Sequence, residues 1–394
     1  MPGLARYGEN EGEAQPSNER PPPVLGVIVN PFSGAGGRLG WKGTDWPLPL
    51  RVVEERVPLV APSRAREFMA HLSKRKPGLV VYAPPGPMGW GSLGEYPGDV
   101  RFLDCVNPGK WPTTPEDTRR CARLAVDRGV GLLVFVGGDG TARIVLESVD
   151  EEVPVLGVPA GVKVYSGVFA YTPREAAEIV ALFFEGRARL VERVVLDVDE
   201  EAFRRGELVV KPYGYLRVPM APGLVASGKS ASHGPGEEAE IEEIAEYFAD
   251  ELYEDCTLYI LGPGRTVSRI AEKLGIKGKT RLGVDVAHNR SLIARDVGEE
   301  TLYKIVSSYP GRKVIVVSPI GGQGFLFGRG NQQISPRIIR LVGRDNIIVV
   351  SSPSKLSRLR ALRVDTGDLL VDEMLRGYIR VLTGYGRYRM VRVV

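Results

Sequence analysis

Apolar runs and stretches with helical periodicity alternate along most of the chain. Four continuous apolar runs are typical of buried strands, at residues 24–30, 78–84, 132–136 and 154–161. Three amphipathic stretches predict helices, at residues 62–75, 114–128 and 173–186. The second of these begins with Thr-Pro-Glu-Asp, which suits an N-cap followed by proline and acids. Strands that alternate with helices predict a parallel sheet with helices on its faces.

The pattern changes after the third helix. Residues 187–220 look like antiparallel strands, residues 221–237 are rich in Gly, Ser and Pro, and an acidic amphipathic helix follows. Strands alternate with helices again from Cys256 onward. We therefore predict an α/β protein with a flexible tail (1–23) and a Rossmann-like nucleotide-binding domain (24–190). A second domain (191–394), with some antiparallel strands and a further α/β unit, is expected to close a cleft.

Composition narrows the classes of function. The chain has 394 residues and a formal net charge of +4, too small a surplus to predict nucleic-acid binding. Three scattered cysteines and three histidines indicate neither a zinc cluster, a disulfide framework nor a histidine-based triad. No apolar stretch reaches the roughly 20 residues that span a membrane, and the N-terminus lacks the apolar segment of a signal peptide. We expect a cytoplasmic homo-oligomer whose partners are small-molecule nucleotides, with no membrane partner.

Few amide side chains and 30 prolines also indicate a thermophilic source, although they say nothing about activity.

A glycine loop carries the first candidate chemistry. The predicted strand at 132–136 is followed by Gly-Gly-Asp-Gly-Thr (137–141) and then by a helix-like stretch. Glycines let backbone N–H groups approach phosphates, but a carboxylate repels them. Asp139 therefore suits a group that accepts a proton from an attacking hydroxyl, or one that holds magnesium. A plain strand-to-helix turn is the alternative that residue chemistry leaves open.

The Gly-Gly-Asp-Gly-Thr loop resembles the signature of the NAD kinase and diacylglycerol kinase superfamily. Two other stretches are similar to signatures of that superfamily in the same order: Val-Asn-Pro-Phe-Ser-Gly from residue 29, and Val-Leu-Gly-Val-Pro-Ala-Gly from residue 155. Within the superfamily the chain most resembles the ATP-NAD kinase-like family common in archaea. The stretches that carry this closer resemblance are Lys-Gly-Thr-Asp (42–45), Leu-Gly-Pro-Gly-Arg-Thr (261–266) and the loop at 321–335.

The resemblance implies roles for individual residues. Asp139 would be the catalytic acid-base residue that addresses the acceptor hydroxyl. Phosphate or nucleotide contacts are implied for Asn30, Ser33, Gly34, Gly137, Gly138, Gly140, Thr141 and Gly161, and we add Lys163 from its position. ATP and Mg²⁺ would be cofactors, polyphosphate is a possible alternative donor, and NAD would be the substrate.

Three features depart from the known families. Lipid kinases carry Gly-Thr-Gly-Asn-Asp after the third signature, where this chain reads Val-Lys-Val-Tyr-Ser with Lys163. The Asn-Glu or Asn-Asp pair that holds a ribose in NAD kinases has no convincing counterpart. The second domain of NAD kinases is β-rich, whereas residues 256–394 here look α/β. The acceptor site is therefore expected to differ from that of true NAD kinases.

The second half of the chain holds further candidate loops. Gly264 and Thr266 follow a predicted strand and precede a helix, which suits a phosphate loop and equally a plain turn with Thr266 as a cap. The loop at 321–333 is rich in glycine and amides. It offers Gly322, Gln323 and Gly324, Arg329 as a phosphate clamp, and Asn331 and Gln332 to read a base or ribose. Asp365 and Asp368 could hold magnesium or simply end a strand in a turn.

One motif is set aside. Residues 223–230 match the P-loop pattern, but the continuation Ala-Ser-His-Gly-Pro-Gly is a poor start for the helix that a P-loop requires. We therefore predict a kinase that transfers phosphate from ATP or polyphosphate to a small-molecule hydroxyl, most simply that of NAD to give NADP. A kinase for a lipid or polyol, and a non-catalytic NAD or ATP sensor, remain open alternatives.

Overall fold

A computed structural model describes residues 23–39, 48–54, 56–94, 96–149, 153–160, 164–198, 209–221, 224 and 236–394. The predicted flexible tail, apart from Pro23, lies outside these residues. So do the Lys-Gly-Thr-Asp stretch, Gly161, Lys163 and nearly all of the P-loop-like segment.

A five-stranded parallel sheet forms the centre of the first domain. Its strands, in chain order, are β1 (Val24–Val29), β2 (Val80–Ala83), β3 (Val100–Phe102), β4 (Leu132–Gly137) and β5 (Val155–Pro159). They lie in the order β3-β2-β1-β4-β5, and every neighbouring pair is parallel. Strands β1 and β4 are buried almost throughout, which explains their continuous apolar sequence.

Helices and turns connect these strands. The helices of this part are α1 (Gly36–Leu39), α2 (Leu48–Glu54), α3 (Ala61–Arg75), α4 (Trp90–Leu93), α5 (Pro115–Asp127), α6 (Asp139–Leu146) and α7 (Pro173–Phe184), with a 3₁₀ turn at Gly86–Met88. Helix α5 begins at the predicted cap. The Thr114 backbone N–H and hydroxyl both donate to Asp117, which completes a capping box.

A long antiparallel hairpin follows α7 and confirms the predicted change to antiparallel strands. It is formed by β6 (Arg189–Val198) and β7 (Val210–Met220).

The second domain is built on a seven-stranded mixed sheet. Its strands are β8 (Leu258–Leu261), β9 (Asp285–His288), β10 (Ser291–Ala294), β11 (Lys313–Val317), β13 (Ile347–Val350), β15 (Gly377–Gly384) and β16 (Arg387–Val393). They lie in the order β10-β9-β8-β11-β13-β15-β16, with four parallel strands, β8 to β15, in the middle. Two short strands, β12 (Phe325–Phe327) and β14 (Arg363–Val364), pair separately.

Six helices within the described residues accompany this sheet. They are α8 (Glu237–Tyr247), α9 (Arg265–Lys273), α10 (Glu299–Ser308), α11 (Pro336–Val342), α12 (Pro353–Leu356) and α13 (Leu369–Leu375), with a π turn at Phe248–Leu252 and 3₁₀ turns at Gly321–Gln323 and Arg344–Asn346. The predicted fold class is confirmed, because a parallel-sheet domain precedes a domain with both antiparallel strands and a parallel α/β unit.

The cysteines differ from expectation. Cys105 and Cys121 form a disulfide that joins the segment after β3 to α5. Neither a C-x-x-C motif nor regular spacing announces this pair, because the fold alone brings the two Cα atoms to 5.0 Å. The sequence analysis, which found no indication of a disulfide framework, therefore missed this single disulfide. Cys256 is a free, exposed cysteine.

Candidate functional site

The glycine loop at the end of β4 fixes Asp139 at the first position of α6. Gly138 is the N-cap of α6 and has no side chain, so no side chain caps the first backbone N–H groups of the helix. The two carboxylate oxygens of Asp139 accept hydrogen bonds from the Tyr165 and Ser166 N–H groups, at 2.8 and 2.9 Å. Asp139 thus has a defined orientation before any substrate binds.

The loop after β1 is tied to the same place. The Asn30 side chain donates from Nδ2 to Thr141 Oγ1 at 3.0 Å and accepts from the Phe32 N–H at 3.2 Å. The Asn30 N–H donates to the Val136 carbonyl at the end of β4. Strands β1 and β4 are neighbours whose connections leave toward opposite sides of the sheet, and ligands of open α/β sheets bind at such a point.

The third signature segment packs directly against the first. Gly34 has a φ of +80°, and a Cβ at this position would lie 1.8 Å from the Ala160 carbonyl oxygen. The Ala160 N–H donates to the Gly137 carbonyl. Only glycine at position 34 allows the two loops to meet. The three sequence signatures therefore converge on one edge of the sheet.

Tyr165 closes the site behind Asp139. Its side chain is 4% exposed. Burial, and secondarily the negative charge of Asp139, raise the pKa of Tyr165 above its ordinary value. The phenol is therefore neutral at physiological pH.

A cavity of about 240 Å³ separates the first-domain loops from the second domain. On one side lie Gly34, Ala160 and the start of α3 at Val60. The other side is formed by segments of the second domain, and Gln332 and Ser335 line it. Ligand pockets commonly lie between domains, and their walls are mostly apolar with a few polar groups.

Charged side chains join the domains at the base of this cavity. Arg64 of α3 contacts Asp365 Oδ1 at 2.5 Å, and Arg329 donates to Asp365 Oδ2 at 3.0 Å. Arg329 also donates to the Tyr171 carbonyl at 2.7 Å. Its Nη1 atom, buried in the cavity wall, has no hydrogen-bond partner among the described residues.

The cluster depends on compensation between its charges. Burial by itself would raise the pKa of Asp365, but the charges of Arg64 and Arg329 outweigh it and lower that pKa. Burial lowers the pKa of Arg329, yet a guanidinium titrates so high that it remains charged at neutral pH. We refer to Arg64, Asp365 and Arg329 as the interdomain cluster.

The two aspartates predicted to bind magnesium have other contacts. Asp365 belongs to the interdomain cluster. Asp368 is the N-cap of α13, where it accepts from the Leu370 and Val371 N–H groups, and it pairs with Arg340 at 2.6 Å. No group of three or more potential metal ligands occurs within the described part of the chain. The structure thus gives the predicted metal role of this pair no support, and a role in folding explains both side chains.

The glycine- and amide-rich loop at 321–335 is more buried than its composition predicts. Phe325–Phe327 form β12 and are fully buried, which the reading of this segment as a plain loop missed. Asn331 is also fully buried and donates to the Leu326 carbonyl, so it supports the loop itself. Gln332, in contrast, lines the cavity, and its predicted contact with a base or ribose stays a prediction.

The remaining candidates lie on two turns of the second domain. Gly322 and Gln323 form a 3₁₀ turn that Gly324 ends with a φ of +76°. The Gln323 side chain donates to the Val164 carbonyl of the first domain at 3.4 Å. Gly264 and Thr266 lie at the start of α9, away from the cavity lining.

Sequence reasoning missed Arg64, Tyr165 and Ser166. Arg64 is one of several arginines in an amphipathic helix, and nothing in the local pattern separates it from the solvent-facing ones. Tyr165 and Ser166 act on Asp139 through backbone N–H groups, which any residue type supplies.

Family models agree with this two-domain architecture. The ATP-NAD kinase N-terminal domain matches residues 61–188, and the ATP-NAD kinase C-terminal domain matches residues 254–393. The two matches together span more than half of the chain. The chain therefore belongs to the ATP-NAD kinase family, which confirms the resemblance drawn from the motifs.

Solved structures show only distant similarity. One from Bacillus anthracis str. Sterne, described as a provisionally assigned diacylglycerol kinase, is 14% identical, with a TM-score of 0.22. That match covers 49% of this chain and 45% of the other, so this chain spans less than half of that neighbour. A second, described as a diacylglycerol kinase from the same organism, is 13% identical over 54% of this chain and 70% of the other, with a TM-score of 0.23. No curated protein matches the chain.

Among the described residues, no helix has the length and apolar character needed to span a membrane.

Proposed function

We propose that the protein transfers a phosphoryl group from ATP, or polyphosphate, to a hydroxyl of NAD, giving NADP. The observation that carries this proposal is the meeting of the Asn30, Gly34 and Asp139 loops beside the interdomain cavity. Phosphates would bind along the glycine loops at the start of α6, and the nucleoside part of the donor would enter the cavity near Gln332.

Asp139 would receive the proton of the attacking hydroxyl or hold that hydroxyl in line with the phosphoryl group. Phosphoryl transfer needs positioning and charge neutralisation more than covalent chemistry, which suits a carboxylate fixed by two backbone amides. Magnesium bound with a nucleotide needs only one or two protein carboxylates, and Asp139 is the one that the glycine loop supplies. When bound, the ion would neutralise charge on the transferred phosphate.

A ligand and turnover screen tests the proposal. The purified chain would be mixed with NAD, NADH, ATP and polyphosphate, each with and without magnesium, while its unfolding temperature and NADP formation are measured. Stabilisation by NAD together with NADP formation is expected. Stabilisation by ATP without NADP would reject NAD as the acceptor and direct the search to other hydroxyls. Binding without any product from a panel of acceptors would favour a nucleotide sensor.

A further inference from the structure

The segment that holds Asp139 is itself attached to the β6–β7 hairpin. We call residues 164–171, which lie between β5 and α7, the strap. Residues 164–170 of the strap are all buried. Two of its N–H groups, those of Tyr165 and Ser166, donate to the Asp139 carboxylate. The contacts that fix the strap therefore also fix the position of these two donors.

The strap lies along the edge of β6 that faces away from β7. The Gly167 N–H donates to the Val194 carbonyl at 2.9 Å, and the Leu196 N–H donates to Ser166 Oγ at 2.9 Å. Val194 and Leu196 are two positions apart, so their backbone groups point to the same edge of the strand. The Ser166 hydroxyl thus takes the place of the carbonyl that a neighbouring strand would supply.

The side chain of Ser166 suits this position because it is short, buried and able to accept a hydrogen bond. Ser166 is 0% exposed, so bulk water does not reach the contact with the Leu196 N–H. The pairing of β6 with β7 shifts register between Val195 and Leu196, so the hairpin ladder is interrupted at this place. A buried N–H group without an acceptor costs free energy. The hydroxyl is therefore needed here in addition to the backbone N–H of residue 166.

The same hairpin holds the far end of the helix that Asp139 begins. Leu146 is the last residue of α6, and Gly214 of β7 packs against it, because a Cβ at position 214 would lie 2.6 Å from Leu146 Cδ2. The Tyr213 hydroxyl of β7 donates to Glu147, directly after the helix. The hairpin therefore contacts one end of α6 directly and the carboxylate at the other end through the strap.

We propose that Ser166 is a positioning residue, whose hydroxyl fixes the strap on β6 so that two N–H groups hold the Asp139 carboxylate toward the acceptor hydroxyl. This inference rests on the proposed kinase function, because that function assigns Asp139 to the reacting hydroxyl. Ser166 acts through Asp139 and does not touch the reacting atoms. The role of its hydroxyl is separate from that of its N–H group, which any residue type would supply. The reaction then depends on the β6–β7 hairpin as well as on the glycine loops.

Amide hydrogen exchange tests the contact without knowledge of the acceptor. Ser166→Ala in the full chain removes only the hydroxyl. Amides of residues 164–171 should then exchange about two- to tenfold faster than in the unaltered chain, the weight of one hydrogen bond, while those of β4 keep their rates. Ser92→Ala is the matched control, because Ser92 is 1% exposed and its hydroxyl donates to the Pro87 carbonyl at 2.7 Å, outside the strap, β6 and α6. It should leave exchange in the strap unchanged.

Kinetics separate positioning from a general loss of stability. With ATP and NAD, Ser166→Ala should lower kcat by about 10- to 100-fold, because a displaced carboxylate no longer meets the acceptor hydroxyl correctly. The KM for ATP should stay unchanged, and Ser92→Ala should keep the kcat of the unaltered chain. Ser166→Cys has a side chain of similar size whose sulfur is only a weak acceptor. Its kcat and its exchange rates in the strap should lie between those of the unaltered chain and Ser166→Ala.

The outcomes distinguish this inference from the proposed function. Unchanged exchange in the strap of both Ser166 variants would overturn the inference, and so would faster exchange spread equally over the whole first domain. An active Ser166→Ala enzyme with unaltered kcat would overturn it too. If Ser166→Ala does not fold, Ser166→Cys carries the same test. Faster exchange confined to the strap, in a chain that forms no NADP, would support the Ser166 contact and reject only the choice of NAD as acceptor.

Discussion

At the scale of single residues, backbone N–H groups fix the orientation of the Asp139 carboxylate. Its carboxylate accepts from two consecutive N–H groups, Tyr165 and Ser166, which lie beyond β5. This geometry restricts the carboxylate to one plane and one rotamer, so a substrate hydroxyl meets an acceptor that is already placed. Preorganised groups of this kind avoid the cost of reorientation during the reaction.

Replacing Asp139 by Asn should lower turnover by at least about 100-fold, because the amide cannot take a proton from the acceptor hydroxyl. One backbone N–H would also face the Asn NH₂ group, which should cost about 1–3 kcal/mol of stability. Nucleotide binding is expected to persist. Turnover and nucleotide affinity of the purified variant check this, with the exposed Asp127→Asn as a control for a change of charge on the same domain. Unchanged turnover would exclude Asp139 from the proposed role.

At the scale of elements, the site depends on how closely strand ends approach one another. The ends of β1, β4 and β5 are joined by the Asn30–Thr141 hydrogen bond and by the contact of Gly34 with Ala160. The loops are consequently held by one another as well as by their own hydrogen bonds. A change in any of them is expected to disturb the others.

Gly34→Ala tests this mutual support. The new Cβ would lie 1.8 Å from the Ala160 carbonyl oxygen, and the φ of +80° disfavours any side chain. We expect a loss of about 1–3 kcal/mol in stability and a clear loss of nucleotide affinity, measured by urea unfolding and calorimetry. Gly109→Ala is the control, since a Cβ there would meet no atom within 4 Å. Equal stability of the two variants would contradict the argument.

The success of sequence reasoning also varied between elements. Helix α5 was predictable because Thr114, Pro115 and Asp117 form a local capping signal that acts within one turn. Strand β12 was not, because its three apolar residues lie among glycines and polar residues, and their burial depends on distant segments of the second domain, including its partner strand β14. The interdomain cluster was equally unpredictable from sequence. The role of Asp365 depends on its contact with Arg64, which lies 301 positions away in the sequence. Local patterns predict elements, whereas contacts between distant segments decide what a buried charge does.

At the scale of the whole molecule, ionic contacts hold the two domains around the cavity. The interdomain cluster is buried, and the pair of Arg363 with Glu175 at 2.7 Å adds a second, more exposed contact. Arg363 also lies over the Tyr171 ring at 3.9 Å. Because Asp365 compensates two arginines, it is the residue whose loss should separate the domains most readily.

Asp365→Asn should destabilise the protein by about 3–5 kcal/mol at pH 7, because the buried Arg329 would lose its paired carboxylate and Arg64 would keep only Glu67, at 3.2 Å. The effect should depend on pH. The folded protein holds the pKa of Asp365 below its ordinary value, so this contribution is complete above about pH 4 and is lost as the pH falls through the folded value. The stability gap between the variant and the unaltered chain should therefore narrow as the pH is lowered from about 4 through the folded pKa of Asp365, measured by urea unfolding. Glu175→Gln, at the more exposed contact, should cost about 1 kcal/mol or less. A gap that is the same at pH 7 and at the lowest pH would show that Asp365 does not compensate the two arginines as an ionised group.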